Sequence, residues 1–220
     1  QMAVPGNPLS RWLASQERAA FVGGNMFVYF SPDQVRRQDY RGPDVFAVLD
    51  VPAGERLSWV VWEEGKAPDV VIELLSPSTA AKDKQEKKLI YQNQLRVPEY
   101  FWYDPFNPED LAGFRLHGGS YDPLLPDGEG RLLSQELGLA LVRWQGIYGD
   151  EREPITWLRW ATLDGVLLLT GNELAEQAER RAKQAEQRAK QAERRAARLA
   201  ERLRALGVEE EEAEVVDSDV

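Results

Sequence analysis

Residues 67–92 read APDVVIELLSPSTAAKDKQEKKLIYQ, and the fold turns on the first third of them. Asp69-Val70-Val71-Ile72-Glu73-Leu74-Leu75 has the length and apolar character of a strand covered on both faces, yet a glutamate stands near its middle. Carboxylates are almost never fully buried without a partner, because lost hydration costs several kcal/mol or more. Whatever faces Glu73 therefore has to compensate it. Ser76, Ser78 and Thr79 then offer N-caps, Ser78 or Thr79 first among them, and a helix is predicted over 79–95.

Upstream, residues 8–18 predict a first helix. Residues 25–30 (NMFVYF) predict a strand after a Gly23-Gly24 turn, 45–51 (VFAVLDV) a second strand entered through Gly42-Pro43-Asp44, and 57–62 (LSWVVW) a third. Downstream, 98–103 return as a strand. Short runs at 113–116, 120–125, 139–142 and 155–158 follow, with Gly118-Gly119 as a tight turn. Strands, a crossover helix, then a strand and hairpins predict an α/β fold with a mixed β-sheet core flanked by helices and added β-hairpins.

Composition changes abruptly near Gly171, so residues 1–170 are predicted to form one domain. From 171 to 207 a heptad seam takes over: Ala175, Ala178, Ala182, Ala185, Ala189, Ala192, Ala196, Leu199, Leu203 and Leu206 recur at alternating spacings of three and four. One reading is a coiled coil that makes the chain a homo-oligomer. The plainer one is a lone solvated helix supported by Glu176–Arg180, Glu179–Lys183 and Glu186–Lys190 at i,i+4. Residues 208–220 carry seven acids and no base and are expected to be disordered.

The formal net charge is −10; the tail contributes −7 and residues 173–207 contribute +4, which leaves −7 for residues 1–172. Charge alone therefore does not make the domain a nucleic-acid binder. With no cysteine, disulfides and thiolate metal sites are excluded. No apolar run approaches the roughly 20 residues that span a bilayer, and residues 1–16 lack the apolar core of a secretory signal, so a cytoplasmic protein with no membrane partner is expected.

On a strand Asp69 and Glu73 share one face, and Asp44 adds a carboxylate at the mouth of another strand. Acids converging at a sheet edge repel unless a cation sits between them, and oxygen-only ligands suit Mg²⁺ or Mn²⁺ rather than zinc. On the helix, Asp83, Lys87 and Tyr91 form one stripe, with Lys82, Lys84 and Lys88 nearby. A lysine reaching back to Glu73 could instead complete a plain buried salt bridge, or these lysines could form a solvated face. His117, beside Gly118-Gly119, reads as an exposed hairpin residue. Trp59, Trp62 and Trp102 fit a core better than a base-stacking surface. There is no G-x-S-x-G, P-loop or G-x-G-x-x-G.

Several of these segments together resemble a known family. Gly42-Pro43-Asp44, Pro68-Asp69-Val70-Val71-Ile72-Glu73, Ser76-Pro77-Ser78-Thr79, Asp83, Glu86-Lys87, Tyr91 and the run VPEYFWYDP at 97–105 are similar to the Uma-type family of restriction-endonuclease-like proteins, within the PD-(D/E)XK nuclease superfamily. The resemblance covers roughly residues 10 to 150. It implies a restriction-endonuclease-like core, DNA as substrate, Mg²⁺ or Mn²⁺ as cofactor, and Asp44, Glu73 and Lys87 as catalytic residues. Asp44 and Glu73 are the implied metal ligands, with Asp69 as a further ligand or a strand end. Glu17 matches the superfamily's extra acid only loosely. The superfamily's lysine stands two places after the strand acid, where this chain has Leu75, so the implied lysine moves onto the helix. Arg36, Arg37, Arg41 and the helix lysines are the expected DNA contacts. Two functions follow: a metal-dependent endonuclease, or a catalytically inactive member of the fold that assembles through its heptad helix.

Overall fold

The computed structural model describes residues 6–31, 40–78, 80–148 and 151–206. Thr79, Arg36, Arg37 and the acidic tail lie outside the described residues. The chain runs α1 (Gly6–Ser15), β1 (Ala20–Gly24), β2 (Val28–Tyr29), β3 (Tyr40–Arg41), β4 (Val45–Leu49), β5 (Trp59–Val60), α2 (Val61–Glu64) and β6 (Val70–Leu74). A helical crossover, α3 (residues 80–95), leads to β7 (Glu99–Tyr103), β8 (Leu111–His117), β9 (Ser120–Pro123), β10 (Leu132–Ser134), β11 (Leu139–Gly146) and β12 (Ile155–Thr162). The last element is α4 (Gly171–Ala205), and the chain divides at Gly171 into two compact units.

The fold is mixed α/β. Six strands form one sheet in the order β1-β4-β6-β7-β8-β9, with β6 and β7 parallel and every other neighbouring pair antiparallel. A parallel pair needs a crossover, and α3 supplies it. Both faces of the sheet are covered. On one, Val45, Val70, Ile72 and Phe101 pack with Leu9 and Leu13 of α1 and with Leu139, Leu158 and Trp160 of the β10-β11-β12 sheet. On the other, Phe46, Val71 and Tyr100 pack with Trp59 and with Ile90, Tyr91 and Leu95 of α3. Each fully buried large apolar side chain contributes roughly 1.5–3 kcal/mol, so the two-sided cover explains why residues 70–72 are uniformly apolar.

Three local readings differ from the sequence expectation. Gly23-Gly24 is not a turn but the end of β1, paired with Phe46 and Val45. The glycines mark a close approach: a Cβ at Gly23 would lie 2.4 Å from the Phe46 ring, and one at Gly24 would lie 3.1 Å from the Asp44 carbonyl oxygen. The predicted strand 57–62 shortens to β5, because the chain turns into α2 and is closed by Gly65 at φ 76°, whose N–H bonds the Val61 carbonyl. Finally, α3 is not uniformly α-helical. Its turns Ala80–Lys82 and Lys88–Ile90 alternate with π-helical turns Asp83–Lys87 and Tyr91–Leu95.

Gly23→Ala should therefore destabilise the fold by about 1–3 kcal/mol, since Phe46 is itself wedged against Phe21 and Trp59 and has little freedom to yield. Gly42→Ala, whose Cβ would meet Phe27 at an ordinary 3.6 Å, should stay near the parent. Urea unfolding midpoints of the two variants check the contrast.

Candidate active site

The antiparallel register of β4 and β6 sets Val45 opposite Ile72, so Asp44, one residue before β4, comes level with Glu73. Asp44 Oδ2 accepts the Leu74 N–H at 2.7 Å. Glu73 is 1% exposed. Its Oε1 accepts the Tyr91 hydroxyl at 2.8 Å and its Oε2 accepts from Lys87 Nζ at 3.0 Å. Lys87 also lies 2.8 Å from Asp83 Oδ1, so one ammonium bridges two buried carboxylates. Tyr100, on the neighbouring strand, donates to the Asp83 carbonyl oxygen at 2.9 Å and pins that turn of α3 to the sheet. The stripe Asp83, Lys87, Tyr91 thus faces inward as a unit.

Burial dominates the electrostatics. It pushes the Glu73 carboxyl up to about 8, against the opposing pull of Lys87 and Tyr91, while the charge of Asp44 adds to the rise. Asp44 is raised as well, by burial, with the Leu74 N–H and Lys87 resisting. Burial lowers Lys87, but the attraction of Glu73 and Asp83 outweighs it and the ammonium is held above its ordinary value. The two carboxyl groups are therefore short of positive charge despite Lys87. Among the described residues no group of three His, Asp or Glu side chains is gathered as a metal cage. A pair of carboxylates is nevertheless the donor set that suits Mg²⁺, which keeps several waters and binds through one or two protein carboxylates. A polar cavity of about 240 Å³, lined in part by Asn7, Ser10 and Asn25, reaches Asp44.

Asp69 does not join them. It stands just before β6, four residues from Glu73, and four residues along a strand is about 13 Å. There its Oδ2 accepts the Leu49 N–H at 2.7 Å and pairs with Lys66 at 2.9 Å, which leaves it a strand-end anchor. Leu75 is fully buried in the core. Lys84 pairs with Asp110, Lys88 sits 3.4 Å from the Phe114 ring centroid, and Arg41 pairs with Glu86 at 3.2 Å, so these bases are engaged within the protein. Glu17 lies beyond α1, exposed and at φ 54°. His117 is exposed beside the β8–β9 turn. Trp59 is fully buried and Trp102 half-buried, whereas Trp62 is 37% exposed. Asp83 and Tyr91 belong to the cluster although the spacing argument gave them no role; their shared stripe with Lys87 was the available signal.

A family model, Uma2, described as "Putative restriction endonuclease", matches residues 6–145. The chain belongs to the Uma2 family. The match spans α1 through most of β11 and so contains Asp44, Glu73, Asp83, Lys87 and Tyr91. Among solved structures, one titled as a putative nuclease belonging to DUF820 from Anabaena variabilis is similar over 60% of this chain and 68% of its own, at 15% identity and a TM-score of 0.42. No curated protein matches this Uma2 chain. No helix among its described residues is long and apolar enough to cross a membrane.

The buried glutamate makes stability depend on pH with a definite sign. Folding raises the carboxyl from 4.5 to about 8, so its contribution is complete below about pH 4.5 and is lost as pH climbs through about 8. Raised Asp44 acts in the same direction. Between about pH 5 and pH 8.5 the parent should lose stability relative to Glu73→Gln, on the order of a few kcal/mol. Thermal midpoints of both proteins at the two pH values measure the difference.

Proposed function

We propose that this Uma2 protein is a metal-dependent endonuclease that hydrolyses DNA phosphodiester bonds, with Asp44 and Glu73 holding Mg²⁺ or Mn²⁺. The observation that carries the reading is the 3.0 Å contact of Lys87 with Glu73. The family resemblance requires a lysine beside the strand acid, position 75 is a leucine, and the crossover helix delivers the ammonium to the same carboxylate. A divalent ion held by Asp44 and Glu73 would supply positive charge beside the scissile phosphate and would acidify a bound water. The protein's own groups do the positioning. Lys87, kept protonated by its two carboxylate neighbours, is a donor toward negative charge rather than a base. Tyr91 and Asp83 fix the rotamers of Glu73 and Lys87. In this reading the partner of α4 is a second copy of the same chain.

One observation favours the alternative, a catalytically inactive assembly module. Arg41, Lys84 and Lys88 are spent on internal partners, and residues 1–172 carry −7 overall, so phosphate meets little free positive charge on these bases.

A plasmid-nicking assay with Mn²⁺ or Mg²⁺ tests the site. Asp44→Ala, Glu73→Gln and Lys87→Ala should each lower the rate by about 10²-fold or more. Variants that cut like the parent would remove these residues from the chemistry. Independently of turnover, Mn²⁺ should raise the thermal midpoint of the parent and leave that of Glu73→Gln unmoved; the same rise in both would place the ion elsewhere.

A further inference from the structure

Helix α4 spans 35 residues, and none of its side chains is buried. Leu199, Leu203 and Leu206 are 59%, 46% and 77% exposed, at the end of the alanine seam. A helix this polar has no reason to keep an unbroken three–four apolar spacing unless something covers the seam, and the flanking charges say what does.

The spacing admits one heptad register. Ala175, Ala182, Ala189, Ala196 and Leu203 stand at a, and Ala178, Ala185, Ala192, Leu199 and Leu206 at d. The residues just before each a, from the second heptad on, are then Arg181, Arg188, Arg195 and Arg202, all at g. Those just after the first three d positions are Glu179, Glu186 and Glu193, all at e. From Glu179 to Glu193 one flank of the seam is basic and the other acidic, whereas Leu174 at the first g and Ala200 at the fourth e are apolar. In a parallel, in-register pair, each g faces the e of the next heptad on the partner, so Arg181 meets the partner's Glu186, and Arg188 meets the partner's Glu193, twice each by symmetry. Antiparallel pairing would set g against g and e against e, arginine on arginine and glutamate on glutamate. The intrahelical pairs Glu179–Lys183 and Glu186–Lys190, both at 2.6 Å, take their lysines from the b positions, so Glu186 serves both Lys190 of its own helix and the partner's Arg181. Between Glu179 and Glu193 the apolar stripe is only a and d wide, with charge immediately on both sides, which suits two helices. Alanine buries little area, so the leucine end supplies the grip while the charges choose the orientation.

We infer that α4 is a parallel, in-register, two-stranded coiled coil with a second copy of this chain, its orientation set by Arg181–Glu186 and Arg188–Glu193 pairs between copies. The inference stands independently of any nuclease activity.

Sedimentation equilibrium of the full chain should give twice the 25.0 kDa chain mass, with a dissociation constant that weakens as salt is raised. Arg181→Glu with Arg188→Glu should weaken self-association by about 10-fold or more, as should Glu186→Arg with Glu193→Arg, while an equimolar mixture of the two should recover a two-chain mass. Orientation is read separately, because the chain has no cysteine of its own. Mild oxidation of Ala178→Cys should crosslink that variant to itself, and Ala196→Cys likewise. Circular dichroism confirms that each variant keeps the parent helicity. A parent of one or three chain masses, charge variants that associate like the parent, or Ala178→Cys crosslinking only with Ala196→Cys would each overturn the assignment.

Discussion

A single ammonium sits between two carboxylates that the fold has removed from water, and the rest of the sheet depends on it. Lys87 faces Glu73 and Asp83, both 1% exposed, and Tyr91 closes the remaining oxygen of Glu73. Removing either partner of a buried ion pair leaves an uncompensated charge and costs far more than the pair contributes. The contact therefore docks the crossover helix on β6 in one register. That register in turn sets Ile90, Tyr91 and Leu95 against Val71 and Tyr100. Core packing and site geometry are here the same constraint.

The compensation is incomplete, and that is its functional interest. With Asp44 level with Glu73, two acids share one positive neighbour, and the glutamate settles as a group that holds its proton near neutrality. Such tuning is found where a site is built around an exchangeable charge. Family membership, two carboxylates on adjoining strands and a lysine delivered from a different element point the same way.

Much of this was legible in local periodicity. The apolar run at 70–75 announced a doubly covered strand, and the spacing of Asp83, Lys87 and Tyr91 put them on one helix face. What escaped were features set by contacts distant in sequence. Gly23-Gly24 looks like a turn until Phe46 is seen against it. Residues 57–62 have strand composition, but Gly65 closes a helical turn instead. Strand alternation paired Asp69 with Glu73 but said nothing about the length of strand separating them, and the aspartate found Lys66 and a backbone N–H. The π-helical turns of α3 have no signature in composition. In α4, by contrast, the flanking charges can be read directly, because a heptad fixes every position relative to its seam.

The migration of the lysine from strand to helix also has a kinetic side. A lysine on β6 would stay beside its acid however the neighbouring segments breathed. Here the counter-charge sits fourteen residues away, on a segment joined to the strand by Ser76-Pro77-Ser78. Whenever α3 lifts, Glu73 loses its ammonium and its phenol together, and its carboxyl group is left without either partner. Partial opening of that helix is consequently suppressed, and its amides should exchange with solvent almost as slowly as those of the central strands.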